Sequence, residues 1–372
     1  MRVTVVDPPA YTPPYDHALC TALAQRGLDV ELVTSRFRFG DVPEPAGYRR
    51  TESFYRRRPQ SAAAKALQHP ADMWRLARRL RRGPAGVVHF QWLPIPALDR
   101  VLVRSFPRPL VLTAHDVLPR EVRRGAGAGT GALLRAVDAV VVHSEAGRAR
   151  LIAEAGVDES RVQVIPHGAF VHLAGSDAAA REPAALEGLD GRRVVLFFGL
   201  VRPYKGVDLL VEAFAGAPED AVLLVVGMPR TPIAPLEQRA RELGVGDRVR
   251  FVPRFVPDAD VPAYFRRADV VALPYRDIDQ SGVLYTALAF GSPLLVTAVG
   301  GFPEIAARGA ARLVEPGSVE SLRSGLVELL DDAGQRARLA AAARRLVLTD
   351  HSWEAAAEAT ERLYRRLLED PA

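Results

Sequence analysis

Cysteine occurs once in the 372 residues, at Cys20. A single thiol excludes an internal disulfide and any Cys-based metal centre, and it suits a reducing compartment. Lysine is almost as scarce. Of 49 basic residues only Lys65 and Lys205 are lysines, and the rest are arginines. No apolar run reaches the ~18 residues of a membrane span. The chain passes from Met1-Arg2 straight into a strand-like run at 3–6, without a signal-peptide layout. The expectation is a cytoplasmic protein. A Cys/His cluster and a paired-aspartate motif are also missing from the sequence, so neither a metal nor a cofactor is expected.

Charge is unevenly spread. Residues 48–82 hold eleven basic and two acidic side chains, a net +9 out of the total +5, so the remaining chain carries −4. One basic patch on an otherwise mildly acidic chain argues against general nucleic-acid binding. Within the patch, MWRLARRLRR at 73–82 has the spacing of an amphipathic helix with Met73, Trp74, Leu76, Ala77 and Leu80 opposite arginines. Such a helix either packs on a core with a solvated Arg face or makes a peripheral membrane contact with anionic headgroups.

Short β-branched runs alternate with helical stretches, the pattern of an α/β fold with parallel sheets. Strands are expected at 3–6, 29–33, 87–90, 110–114, 139–143 and 162–165, then at 194–198, 221–226, 249–252, 269–273 and 293–298. At roughly 150 residues per domain the length suggests two domains. The division expected is 1–172 for the first domain, 173–191 for a small, polar linker, 192–350 for the second domain and 351–372 for a terminal helix. In doubly wound sheets ligands sit beyond the carboxyl ends of the strands, and a cleft between two such domains is the default site. GAGTGA at 127–132 formally matches the dinucleotide fingerprint. It follows charged residues rather than a strand, so it reads as a flexible loop.

FFGLVRPYKG at 197–206 carries the most chemistry. An apolar strand ends at Gly199, where a missing side chain lets a ligand approach the backbone. Arg202 brings a planar fork of donors and Lys205 a compact charge, next to a helix start. Together they suit a diphosphate. In a chain that writes its cations as arginine, a lysine here indicates that arginine would not serve.

This segment resembles the donor-diphosphate loop of family-four retaining glycosyltransferases of the GT-B fold. TAHDVLPRE at 113–121 resembles the family's first-domain histidine motif, and VIPHG at 164–168 its Ile-Pro-Asn-Gly motif with His167 in place of Asn. Residues 280–304, QSGVLYTALAFGSPLLVTAVGGFPE, resemble the nucleotide-sugar segment. HSWEAAAEATERLY at 351–364 resembles the closing helix, which in the family crosses back to the first domain. The resemblance implies two Rossmann-like domains facing a central cleft, with the acceptor on the first and the nucleotide sugar on the second.

The resemblance also implies roles. Arg202 and Lys205 would hold the diphosphate with Gly199 and the amides of Ser281, Gly282 and Val283. His115 and Asp279 would orient the donor sugar, and Glu304 would face the donor or cap the next helix. Asp279 stands at the first of two acidic positions typical of the family, and Thr286 stands at the second. A hydroxyl there grips a ribose with one hydrogen bond where a carboxylate binds two hydroxyls. The first loop, DPPAYTPPYDH at 7–17, has four prolines and no glycine, so it offers few amides to a phosphate. Tyr11, Tyr15, Asp16 and His17 would instead shape the acceptor side, with His143 beside them. His167 would stabilise its turn.

The function expected is retaining transfer of a sugar from a nucleotide-diphosphate donor to a hydroxyl of a small-molecule, glycan or lipid-linked acceptor. The alternatives are a non-catalytic nucleotide-sugar-binding protein and a GT-B-like nucleotide-sugar epimerase.

Overall fold

β-branched runs four to seven residues long, separated by helices, can bury both of their faces only inside a parallel sheet covered on two sides. The computed structural model of the chain shows two such sheets, and it describes residues 1–38, 40, 42–57, 61–117, 126–175 and 183–369. The chain divides into two units, residues 1–167 with 353–372, and residues 168–352.

The first unit holds β1 (Arg2–Asp7), α1 (Pro13–Gln25), β2 (Asp29–Ser35), β3 (Arg49–Phe54), α2 (Ala62–Arg81), β4 (Val87–Phe90), α3 (Pro96–Leu102), β5 (Leu110–Thr113), α4 (Ala126–Leu134), β6 (Ala139–Val142), α5 (Glu145–Ala155) and β7 (Val162–Val164). Its seven parallel strands run in the order β3-β2-β1-β4-β5-β6-β7. Winding therefore reverses between β1 and β4, where Val3 pairs with Val87 and Val6 with Phe90. Val6, Phe90, Leu110 and Met73 are fully buried in its core.

The second unit holds α6 (Val171–Ala174), β8 (Arg193–Phe198), α7 (Val207–Phe214), β9 (Ala221–Val226), α8 (Ala234–Glu242), β10 (Val249–Val252), α9 (Val261–Arg267), β11 (Val270–Leu273), α10 (Gly282–Phe290), β12 (Leu294–Thr297), α11 (Phe302–Ala307), β13 (Ala311–Val314), α12 (Val319–Asp331) and α13 (Ala333–Leu348). Its six parallel strands run β10-β9-β8-β11-β12-β13, and winding reverses between β8 and β11. The last helix, α14 (Trp353–Glu369), returns to the first unit. There Glu361 takes Arg26 at 2.6 Å and Arg365 at 2.6 Å, and Tyr364 is buried with its hydroxyl 2.6 Å from His89 Nδ1.

Several expectations change. β3 and β13 are strands that the pattern did not suggest. β3 is an edge strand written Arg-Arg-Thr-Glu-Ser-Phe, so its charged face hides the alternation. GAGTGA is not a loop: it lies in α4. Its small residues serve helix packing, since a Cβ on Gly129 would stand 3.2 Å from the Ala97 backbone nitrogen in α3. The expected linker, 173–191, belongs to the second unit, where Leu186 and Leu189 are buried, and its residues 176–182 lie outside the described ones.

α2 buries Met73, Leu76, Ala77 and Leu80 and turns Trp74 and its arginines outward, with Arg79 on Glu31 at 2.7 Å. It is a core-packed helix with a solvated arginine face. Among the described residues no helix is long and apolar enough to cross a membrane.

Candidate active site

In each sheet the strands fan apart where winding reverses, and the loops beyond their carboxyl ends leave a crevice. In the second unit these loops follow β8 and β11, and they contain the residues expected to hold a diphosphate.

Gly199 ends β8 with φ +107°, a conformation that L side chains rarely adopt. Its amide donates to the Val226 carbonyl at 2.9 Å. A Cβ there would stand 3.1 Å from Val283 Cγ2 and 3.4 Å from Lys205 Nζ. Gly199, Lys205 and Val283 are thus neighbours. Lys205 is buried, with its ammonium 5.0 Å above the Tyr275 ring. That ring is fully buried, and its hydroxyl is 3.3 Å from Ser281 Oγ at the start of α10. An ammonium held this way rests on an aromatic face, which attracts cations. Burial pushes the Tyr275 hydroxyl up, so it stays protonated.

Backbone geometry sets the height of this loop. Gly206 adopts φ +66°, and a Cβ on it would lie 2.0 Å from the Pro274 carbonyl oxygen. Arg276 braces the other side. Its guanidinium donates to the Pro203 carbonyl at 2.8 Å and clamps the Asp208 carboxylate at 2.8 and 2.6 Å. The Arg276 amide donates to the Tyr204 carbonyl at 2.7 Å. The half-buried Arg202 opens the same short helical turn that Lys205 closes.

Asp279 is buried. Gly300 packs against its chain, since a Cβ there would sit 2.9 Å from the Asp279 carbonyl oxygen. Glu304 lies in the first turn of α11, and its charge helps raise the Tyr285 hydroxyl, mostly raised by burial. The Thr286 hydroxyl donates to the Gly282 carbonyl at 3.0 Å, so its proton is committed within α10.

In the first unit the loops after β1 and β4 meet. Trp92 Nε1 donates to Thr12 Oγ1 at 3.0 Å, and Tyr11 stands edge-on to Trp92 with ring centres 5.5 Å apart. His115 follows β5, stacks on Trp92 at 5.0 Å and 15°, and donates from Nε2 to Gln91 Oε1 at 3.0 Å. Tyr15 packs edge-on against His115 at 4.7 Å. His143 is 5.3 Å from His115 and 5.4 Å from His167, ring to ring. Its Nδ1 donates to the Ile165 carbonyl at 2.8 Å.

Burial, aided by the neighbouring imidazoles, holds His115 well below its usual range, and His89 is pushed down to about 3. Both rings are therefore neutral near pH 7. A neutral imidazole can bind a hydroxyl without attracting an anion.

Not every expected residue joins this row. Tyr15, His115 and His143 are brought together. Asp16 turns into the interior beside Asp7, and His17 turns to the Tyr48 hydroxyl at 3.0 Å. Part of the histidine motif, 118–121, lies outside the described residues. Gln91, Trp92 and Tyr275 escaped the sequence reading. Their signal was positional, because each stands one or two residues beyond the end of a buried strand.

Comparison with known proteins gives the family. Residues 181–346 match Glycosyl transferases group 1, and residues 15–171 match Glycosyltransferase Family 4. The D-inositol 3-phosphate glycosyltransferase of Xylanimonas cellulosilytica is 30% identical, with 93% of this chain and 89% of that protein covered. The same enzyme of Mycolicibacterium smegmatis is 33% identical over 60% of this chain and 54% of its own. Among solved structures, sucrose-phosphate synthase from Thermosynechococcus elongatus superposes with a TM-score of 0.78 at 21% identity, covering 99% of both chains. Anabaena HepE in complex with UDP and glucose gives 0.76 at 18% identity over 100% of both. With both halves matched in sequence and fold, the chain belongs to the family-four glycosyltransferases of the GT-B fold.

Proposed function

We propose that the protein transfers a sugar from a nucleotide-diphosphate donor to an acceptor hydroxyl with retention at the anomeric carbon. The observation that carries this reading is the buried Lys205 ammonium beside Gly199, at the point where the second sheet reverses. A diphosphate against Gly199 would meet Lys205 and the start of α10 together. HepE, of similar fold, has been captured with UDP-glucose, which supports a nucleotide sugar as donor.

As the bond from the anomeric carbon to the diphosphate oxygen breaks, negative charge grows on the leaving group. Arg202 and Lys205 stabilise it, which lowers the barrier more than equal binding of substrate would. They take the part a divalent cation plays elsewhere, so transfer proceeds in the presence of a chelator. Asp279 accepts sugar hydroxyls, and the neutral His115 is suited to hydrogen-bond a hydroxyl. The acceptor oxygen attacks the same face that the diphosphate leaves, and its proton passes to a diphosphate oxygen. With its proton committed to Gly282, Thr286 offers a ribose only lone pairs.

The test starts with a thermal-shift screen of UDP-, GDP-, ADP- and dTDP-sugars, since the right donor raises stability by mass action. Transfer is then measured for the wild type, Arg202→Ala and Lys205→Met, with chelator present. Each charged hydrogen bond is worth about 1.5–3 kcal/mol, so at least about a tenfold loss in kcat/KM is expected. Product NMR reads the anomer. Unchanged transfer and nucleotide affinity in both variants would refute the assignment, and an inverted anomer would refute retention alone.

A further inference from the structure

Gln91 stands directly beyond β4, where the first sheet reverses, and its backbone amide donates to the Val6 carbonyl at 2.9 Å. Its side chain is fully buried. Oε1 lies 3.0 Å from His115 Nε2, while the side-chain nitrogen is buried with no hydrogen-bond partner among the described residues. A buried donor left unmatched is costly, so its presence calls for a reason. Methionine would fill the same space without an orphaned donor. Glutamate would fill it too, with a charge.

The remaining contacts of His115 hold its ring and leave one edge open. Trp92 covers a face at 5.0 Å and 15°, and Tyr15 stands edge-on at 4.7 Å. Among the described residues Nδ1 has no hydrogen-bond partner, and unlike the Gln91 amide nitrogen it is not sealed from solvent. The groups that act on the charge of the ring are other imidazoles, His143 beyond β6, His167 beyond β7 and His89 in β4, and Tyr15 faces it from α1. None of these is a carboxylate. A neutral imidazole has one proton, so a ring that donates from Nε2 has a bare lone pair on Nδ1. An amide carbonyl fixes that arrangement without charging the ring. A carboxylate in its place would favour a ring with both nitrogens protonated.

We propose that Gln91 is a positioning residue for the transfer: its carbonyl holds the His115 proton on Nε2, so that Nδ1 faces the crevice as a lone pair and accepts a hydrogen bond from a substrate hydroxyl. The proposal rests on the glycosyl-transfer reading above and fixes the direction in which the histidine contact runs.

The test reads the tautomer directly. Nitrogen-15 NMR of the full-length protein, with His115→Asn to assign the signals, separates a protonated ring nitrogen from a bare one. The wild type should show His115 protonated on Nε2 and bare on Nδ1 near pH 7. Gln91→Met removes the carbonyl, and the proton should move to Nδ1, where water in the crevice accepts it. Turnover, read as nucleoside diphosphate released from UDP-, GDP-, ADP- and dTDP-glucose, should fall about tenfold in this variant. Affinity for the nucleoside diphosphates alone should stay at the wild-type value. So should the melting temperature, since one orphaned buried group replaces another, whereas a merely structural role would lower it. Gln91→Glu keeps the shape and adds a charge. Carboxyl and ring together then take up one more proton as pH falls, and whichever of them holds it, Nδ1 is protonated. This variant should lose turnover on the acid side and regain it as pH rises, a limb absent from the wild type. A wild-type ring protonated on Nδ1, a tautomer unmoved in Gln91→Met, or turnover unmoved in both variants overturns the proposal and leaves the transfer reading standing. A tautomer that depends on Gln91 in a protein that neither binds nor turns over a nucleotide sugar would sink the transfer reading and leave the hold on the ring intact.

Discussion

Replacing Gly206 by alanine separates two effects that glycine usually combines. The first is backbone strain. At φ +66° a Cβ costs about 1–2 kcal/mol. The second is space. The new Cβ would lie 2.0 Å from the Pro274 carbonyl oxygen, where ordinary C···O contacts are about 3.3 Å. Something must therefore move by roughly 1 Å, at a further cost of about 1–3 kcal/mol. Pro274 precedes Tyr275, whose ring lies under the Lys205 ammonium, and Gly206 follows Lys205 directly. Whichever side yields, ring and ammonium lose register. Gly317 is the control: its φ is +76° and a Cβ there meets nothing within 4 Å, so alanine brings strain alone.

Calorimetry of Gly317→Ala should show the transition of the second unit lowered by roughly 2–8 °C, at about 2–4 °C per kcal/mol. Gly206→Ala should fall by more, roughly 4–20 °C for about 2–5 kcal/mol. Transfer assays on both, run well below either transition, should find Gly317→Ala near wild type. Gly206→Ala should lose about a hundredfold in kcat/KM, the usual cost of a 1 Å misplacement in a reacting site. If Gly206→Ala retains the rate of Gly317→Ala, the loop does not position Lys205 through Pro274, and the reasoning fails.

Two further outcomes follow from the first unit. Burial pushes the Asp7 carboxyl up to about 6, and burial together with the Asp7 charge pushes Asp16 well above the usual range. The folded chain then holds a proton that the unfolded chain releases near pH 4, so this pair loses stability as pH rises from about 4 through 6. Asp16→Asn should flatten that loss when urea unfolding is followed against pH; parallel wild-type and variant curves would refute a shared proton. His89 works in the opposite sense. With its folded pKa held at about 3, stability is lost as pH falls below 6.5 towards that value. Tyr364→Phe deprives its Nδ1 of a buried partner and should cost about 1–3 kcal/mol in denaturant titrations at pH 7. No change would mean that the hydroxyl contact does not help dock α14.

The alternation of strands and helices was legible because buried parallel strands are written as continuous Val and Leu runs. β8, with Arg-Val-Val-Leu-Phe-Phe, and β9, with Ala-Val-Leu-Leu-Val-Val, show this directly. β3 escaped because an edge strand needs only one apolar face, and α4 because its glycines serve close packing on α3 rather than flexibility. At the site, Gly199 and Lys205 stood out through residue type: one removes a side chain and the other breaks an arginine habit. Tyr275 and Trp92 did not, since an aromatic beyond a strand looks like any other until the sheet places it. Neighbours along a helix also diverged. Tyr15, Asp16 and His17 are consecutive in α1, so 100° steps send them to the ring cluster, the interior and Tyr48 respectively.

Glu361, Leu363 and Tyr364 complete the first unit, yet they are encoded after the whole of the second. A ribosome adding about 5–20 residues per second needs roughly 10–40 seconds to make residues 168–352. Over that interval the nascent first unit has β1–β7 but not α14, so the surface of α1 that will receive it, and His89 awaiting Tyr364, have no cover. The second unit, by contrast, closes on itself, with its entering and leaving segments joined by the Ala169 amide on the His351 carbonyl at 2.7 Å. Synthesis thus favours a sequence in which the second unit folds first and the first unit is finished last. The interval in which that half lacks its final helix is when a chaperone would have the most apolar surface to hold.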